Sequence, residues 1–318
     1  MFLSILILVA GLAILVKGAD LLVDGASSMA KKLKIPYIVI GLVIVAFGTS
    51  FPELMINILA SARGNTDLAI GNVIGSNITN LALILGIAAA IYPLTIKAGT
   101  TWKEIPLAFL AVALMFFMAN DIWLDKTSQN ILTRTDGIAL IAFFIIFLYY
   151  TYGVSKLKES AKDNVPVYKS RRTAIMIIGG IIGLGLGGEL TVRSATHIAE
   201  IAGLSEALIG LTIVAIGTSL PELAASVVAA LKRNPDIAVG NIVGSNIFNI
   251  FWVLGLSSVI RPIAFSPSLN ADIGIALILT CLLFIFMFIG KRRILKRWQG
   301  IGFLIIYVAY LAFVIIRG

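Results

Sequence analysis

The segment GLVIVAFGTSFPEL at 41–54 recurs as GLTIVAIGTSLPEL at 210–223, and DLAIGNVIGSNITN at 67–80 recurs as DIAVGNIVGSNIFN at 236–249. The offset between the copies is 169 residues throughout, and 25 of the 51 positions in 41–91 are identical in 210–260 without a gap. Shared hydrophobicity does not produce such a match, so the chain is an internal duplication. It reaches back into the preceding segment: KGADLLVDGA at 17–26 aligns with LGGELTVRSA at 186–195 and pairs Asp20 with Glu189.

What the duplicated unit can be is set by its surroundings. The chain is 59% hydrophobic and 13% charged over 318 residues, whereas a soluble domain carries roughly 25% charged residues. Apolar runs long enough to cross a bilayer, about 20 residues each, are expected at 2–30, 36–62, 67–92, 103–120, 131–152, 173–200, 205–231, 236–260, 269–290 and 297–316. The first is too long for a signal peptide, has no basic start and is followed by no small-residue cleavage site, so it is expected to be retained as a span. No soluble domain is left over.

Ten spans divided between two copies give five each. Five is odd, so the second copy must enter the membrane from the opposite side. The expected fold is all-α and polytopic: ten transmembrane helices in two inverted-topology five-helix repeats, with broken helices at the midplane. The first repeat occupies 1–152 with its motif at 41–91, a linker occupies 153–172, and the second repeat occupies 173–318 with its motif at 210–260.

The net charge of +9 follows the same geometry. With loops assigned to alternate sides, 18 Lys and Arg residues fall on one side, among them Lys31, Lys32, Lys97, Lys103, Arg171, Lys232 and Lys291 to Arg297. Only Arg63, Lys126, Arg134, Arg261 and Arg317 fall on the other. By the positive-inside rule both termini lie outside and the 153–172 linker is cytoplasmic. The basic charge is thus topological, and nucleic-acid binding is not expected.

Within the apolar spans each copy places Gly-Thr-Ser-x-Pro-Glu. Proline lacks a backbone donor and clashes with the carbonyl four residues back, so Pro52 and Pro221 should break their helices and free carbonyls near Gly48 and Gly217. Unpaired carbonyls at membrane depth are tolerated only against protein or a water-filled cavity. Thr49, Ser50 and Glu53 share a face at helical spacing, as do Thr218, Ser219 and Glu222. On the next span Asn72, Ser76 and Asn80 recur every four residues, as do Asn241, Ser245 and Asn249.

A carboxylate at mid-helix costs at least about 2.5–3.5 kcal/mol, so its appearance twice at matched positions argues for a role. Oxygen-only ligands with two carboxylates suit Ca²⁺, Na⁺ or similar hard cations. Lone Cys281 and lone His197 exclude a disulfide framework, a zinc cluster or a histidine-based triad. The inverted symmetry should bring Glu53 and Glu222 to one centre, where their charges balance one Ca²⁺. Blander readings apply to other residues. The motif glycines can serve close helix packing, and single Ser or Thr hydroxyls can bond their own helix. Lys17, Asp20, Asp24, Glu189 and Arg193 are expected to be structural pairs or snorkelling charges.

With both motifs present twice, the sequence resembles the calcium/cation antiporter superfamily, and within it the short prokaryotic Na⁺/Ca²⁺ exchangers that lack a large regulatory loop. The resemblance implies Na⁺-driven Ca²⁺ exchange by alternating access, with the first and sixth spans sliding over the other eight, in the plasma membrane of a prokaryote. It further implies that Glu53, Glu222, Thr49 and Thr218 form the central Ca²⁺ site. Ser50, Ser219, Ser76, Ser245 and the carbonyls of Ala46 and Ala215 would complete flanking Na⁺ sites, and Asn80 and Asn249 the middle. Related exchangers often carry an aspartate where Asn80 or Asn249 stands. The ions are cargo; no cofactor is expected, and the chain is expected to act as a monomer in the lipid bilayer. The competing expectations are a Ca²⁺/H⁺ or K⁺-dependent Na⁺/Ca²⁺ exchanger, an ion channel selecting through oxygen rings, and an intramembrane enzyme. Two glutamates without a nucleophile or histidine offer poor chemistry to the last.

Overall fold

The computed structural model describes residues 2–124, 126, 128–157, 165–202 and 215–317. The protein is a helical membrane protein. Eight of its described helices are long and apolar enough to cross a bilayer, and a bent pair makes a ninth candidate. They are α1 (Phe2–Leu33), the pair α2 (Tyr37–Thr49) and α3 (Phe51–Arg63), α4 (Thr66–Ile91), α5 (Thr100–Met118), α6 (Arg134–Ser155), α7 (Ser170–Ile201), α9 (Pro235–Ile260), α10 (Pro267–Phe286) and α11 (Arg297–Arg317). The shorter apolar α8 (Leu220–Leu231) lies within the expected span 205–231. Residues 203–214, including positions 210–214 of the second motif, lie outside the described residues, as do 158–164 of the linker.

Helix ends follow local chemistry. Gly64 closes α3 at φ +79°, a left-handed conformation costly to a residue with a Cβ. Asn65 accepts a hydrogen bond from Leu68 N–H at the start of α4, and Thr133 with Asp136 forms a reciprocal capping box on α6.

The helices sort by burial. In α9, 94% of the most apolar stretch is buried, and in α4 72%, against 28% in α1 and 22% in α11. So α4 and α9 form the core, and the others turn Leu, Ile and Phe side chains outward, as lipid contact requires. Helices α1 and α7 lie along each other through glycines: a Cβ on Gly18 would stand 2.7 Å from Leu184 N, and one on Gly187 2.5 Å from Leu15 N. Close backbone approach of this kind is how helices associate without a hydrophobic drive.

Two short antiparallel ladders tie the segments between helices together. β1 (Leu94–Thr95) pairs with β4 (Ile294–Leu295), and β2 (Ile131–Leu132) with β3 (Ile263–Ala264). Leu94 and Ile263 are themselves 169 residues apart. Each ladder therefore joins a strand from one half of the chain to a strand from the other.

Candidate site of buried oxygens

Helix α2 ends at Thr49, Ser50 leaves helical geometry at φ −83°, ψ 8°, and α3 begins at Phe51 with Pro52 in its first turn. The bend is 48°. In the second half Ser219 takes φ −90°, ψ 7° and Pro221 opens α8. The near-identical serine conformations show that the same local sequence has made the same break twice. Glu53 and Glu222 consequently sit in the first turns of α3 and α8, where the exposed N–H groups of a helix start favour a carboxylate.

Contacts run from each half into the other. Ser50 Oγ donates to Glu222 Oε1 at 2.8 Å. Thr49 Oγ1 donates to Asn241 Oδ1 at 3.0 Å, with the Ala46 carbonyl at 3.3 Å. Ser219 Oγ donates to Ser76 Oγ at 3.4 Å. Asn241 is held by its own amide, which donates to Ser226 Oγ at 2.9 Å and to the Glu222 carbonyl at 3.3 Å. Thr49, Ser50, Glu53, Ser76, Asn80, Ser219, Glu222, Asn241, Ser245 and Asn249 are all buried.

The remaining expected residues differ. Thr218 is half-buried and, with Asn72 and Ser76, lines a cavity of about 450 Å³ that extends to Asp67, Asp272 and Arg317. The Ala46 carbonyl also accepts from Ser50 N–H at 2.9 Å. Ala215 lies in the helical turn Ala215–Gly217 that precedes the second break.

A set of oxygens is left over. Glu53 Oε1 and Oε2, Glu222 Oε2, Ser245 Oγ, Asn80 Oδ1 and Asn249 Oδ1 are buried and have no hydrogen-bond partner among the described residues. The amide nitrogens of the two asparagines are occupied: Asn80 Nδ2 donates to Asn246 Oδ1 at 3.0 Å and Asn249 Nδ2 to Asn77 Oδ1 at 3.2 Å. Asn77 and Asn246 also donate to each other's backbone carbonyls, both at 3.3 Å. Just here both core helices widen into π-turns, at Thr79–Ile84 and Asn249–Leu254. Such turns often mark functional sites.

Each orphaned buried polar atom costs about 1–3 kcal/mol, more when charged. Neither glutamate forms an ion pair with a Lys or Arg among the described residues. No group of three or more His, Cys, Asp or Glu suited to a metal occurs among them either. What remains is two carboxylates supplemented by neutral oxygens, a donor set for a hard cation. Asn77, Asn246, Asn57 and Ser226 belong to this polar network without standing out in the stripe pattern. Asn77 and Asn246 close the repeated GNxxGSN motifs, and that is the signal that could have found them.

Charged residues of the first span of each repeat pair as expected, Lys17 with Asp20 at 3.0 Å and Arg193 with Glu189.

Known proteins place this arrangement. A family model described as sodium/calcium exchanger protein matches residues 3–153 and 172–316. The chain is 36% identical over 320 residues to a putative antiporter, CaxA, of Alkalimonas amylolytica, covering 98% of each chain. It is 32% identical over 345 residues to the sodium/calcium exchanger MaX1 of Methanosarcina acetivorans, covering 97% of each. Its fold matches a solved structure of the sodium-calcium exchanger NCX_Mj soaked with Na⁺ and Sr²⁺, with a TM-score of 0.84 and 32% identity over 98% of both chains.

Proposed function

The chain belongs to the sodium/calcium exchanger protein family of membrane antiporters, and on that premise we propose that it exchanges Na⁺ for Ca²⁺ at the buried site between its two halves. The observation that carries the reading is the pair Glu53 and Glu222, both 1% exposed, with three of their four carboxylate oxygens lacking a partner among the described residues. Two unpaired charges in a low-dielectric interior are very costly; a divalent cation, or Na⁺ ions in its place, offsets them. Alternate occupancy of one site by either ion is what antiport requires.

The ligand assignment proposed is Glu53, Glu222, Thr49 and Thr218 for Ca²⁺. Ser50, Ser219, Ser76, Ser245 and the Ala46 and Ala215 carbonyls serve Na⁺, with Asn80 and Asn249 between. The orphaned oxygens of Ser245, Asn80 and Asn249 support it. The proposed architecture is ten spans in two inverted repeats: 1–152, the cytoplasmic linker 153–172, and 173–318. Support comes from the crossed ladders β1–β4 and β2–β3 and from the reciprocal Asn77–Asn246 bonds. Both termini lie outside in a prokaryotic plasma membrane under this reading, the side sparse in Lys and Arg. The cavity reaching Ser76 and Thr218 from the Asp67 and Arg317 end is then the outer access route.

The coupling ion is tested by loading proteoliposomes with Na⁺, diluting them into Na⁺-free buffer and following Ca²⁺ uptake, then replacing the Na⁺ gradient by a proton gradient. Uptake driven by Na⁺ alone supports the proposal. Uptake driven only by protons refutes it in favour of Ca²⁺/H⁺ exchange.

A further inference from the structure

The polar stripe of α9 begins at Asn241, which has no place in the ligand set proposed above although Ser245 and Asn249, further along the same stripe, do. Asn241 is nevertheless fully buried, as are Thr49 and Ser226 beside it. Two elements meet α9 on this one side chain: the end of α2 through Thr49, and the first two turns of α8 through Glu222 and Ser226. Glu222 and Ser226 lie four residues apart and so share a helix face.

The direction of each bond follows from what the groups can do. A backbone carbonyl only accepts, so the Glu222 carbonyl, 3.3 Å away, must face the amide nitrogen of Asn241. The other amide proton goes to Ser226 Oγ at 2.9 Å. Asn241 Oδ1 is thereby turned toward Thr49 and, being an acceptor, requires the hydroxyl at 3.0 Å to donate. A threonine hydroxyl has one proton and two lone pairs, so Thr49 has only lone pairs left to offer. The competing acceptor for its proton is the Ala46 carbonyl at 3.3 Å, itself proposed above to serve Na⁺.

We infer that Asn241 is a positioning residue of the cation site: it draws the Thr49 proton away from the Ala46 carbonyl, so that Thr49 meets the ion with its lone pairs. The inference rests on the reading of Thr49 as a Ca²⁺ ligand. It also joins the two halves, because a backbone carbonyl in the second copy sets the polarity of a hydroxyl in the first. Residues that orient metal ligands without touching the metal are commonly worth about 10–100-fold in affinity. Asn241 acts on the ion through the Thr49 hydroxyl, and its effect should vanish when that hydroxyl is absent.

The test is equilibrium binding of radioactive Ca²⁺ to the purified full chain, for the parent, Asn241→Ala, Thr49→Val and the two combined. Asn241→Ala is expected to raise the Ca²⁺ concentration for half-saturation by about tenfold or more. In the Thr49→Val background the same substitution should change it by less than about twofold, because residues acting through one group are not additive. In the Thr49→Ser background, which keeps the hydroxyl, Asn241→Ala should regain its full effect. An equal factor in all three backgrounds, as a merely structural role would give, overturns the inference. So does half-saturation within about twofold of the parent in Asn241→Ala itself. Should Asn241→Ala fail to fold, Ser226→Ala removes one of the two anchors of the amide and is expected to give a smaller rise that again requires the Thr49 hydroxyl; an equal rise without that hydroxyl overturns the inference. Absence of Ca²⁺ binding by the parent would remove the site reading as a whole, while parent binding with equal factors in every background would remove the role of Asn241 alone.

Discussion

Asn77 and Asn246 donate their side-chain amides to each other's backbone carbonyls, both at 3.3 Å, across a separation of 169 residues. A residue bonding to its own repeat partner in both directions supports the proposed two-fold relation between the halves. From this pair the network spreads symmetrically: Asn246 Oδ1 takes the Asn80 amide and Asn77 Oδ1 takes the Asn249 amide. The amide oxygens of Asn80 and Asn249 are left to the site.

Asn77→Ala and Asn246→Ala should therefore act alike. Each removes two donated or accepted bonds in the buried core and releases one site asparagine, at about 1–3 kcal/mol for the group left unsatisfied. Thermal melting of the purified protein should fall by similar amounts in both, and apparent Ca²⁺ affinity should fall as well. A silent substitution at either position would contradict the reciprocal role.

Matched serines should differ. Ser50 holds Glu222 through a 2.8 Å bond, whereas Ser219 reaches only the Ser76 hydroxyl at 3.4 Å. Hydrogen bonds to charged groups contribute about 1.5–3 kcal/mol and neutral ones roughly half that. Ser50→Ala is expected to raise the Ca²⁺ concentration for half-maximal uptake by about tenfold or more, and Ser219→Ala by less. The two titrations, run side by side, decide it.

The packing of α9 on α2 is tested at one glycine. A methyl group at position 244 would stand 2.6 Å from the Leu42 carbonyl. Gly244→Ala should lower stability by about 1–3 kcal/mol, the usual cost of overpacking. An unchanged melting temperature in Gly244→Ala would show that α9 is not tightly held against α2.

The sequence made several of these features legible for identifiable reasons. The proline in each copy dictated a break, and both breaks lie two residues before it, at Ser50 and Ser219. The polar stripe identified Asn80, Ser245 and Asn249 because polar atoms in an apolar span stand out against their background. Asn77 and Asn246 were less visible, because their partners are each other, and a contact between residues 169 apart has no counterpart in local spacing. The π-turns at Thr79 and Asn249 have no compositional signature in residues as ordinary as Leu, Ile and Val. Lys232 reads in sequence as a membrane-side anchor; its hold on Asp20 and Asp24 appears only once α8 and α1 are placed together.

The most direct test of the account is the initial rate of Ca²⁺ uptake into Na⁺-loaded proteoliposomes, measured for the parent protein, Glu53→Gln and Glu222→Gln. Removing a metal ligand's supporting shell alone commonly costs about 10–100-fold, and removing one of two carboxylate charges should cost more. Uptake is predicted to fall to background in both variants while each remains folded by its melting profile. Retained Na⁺-driven Ca²⁺ uptake in either one would contradict the assignment of Glu53 and Glu222 as the charge that binds the transported ion.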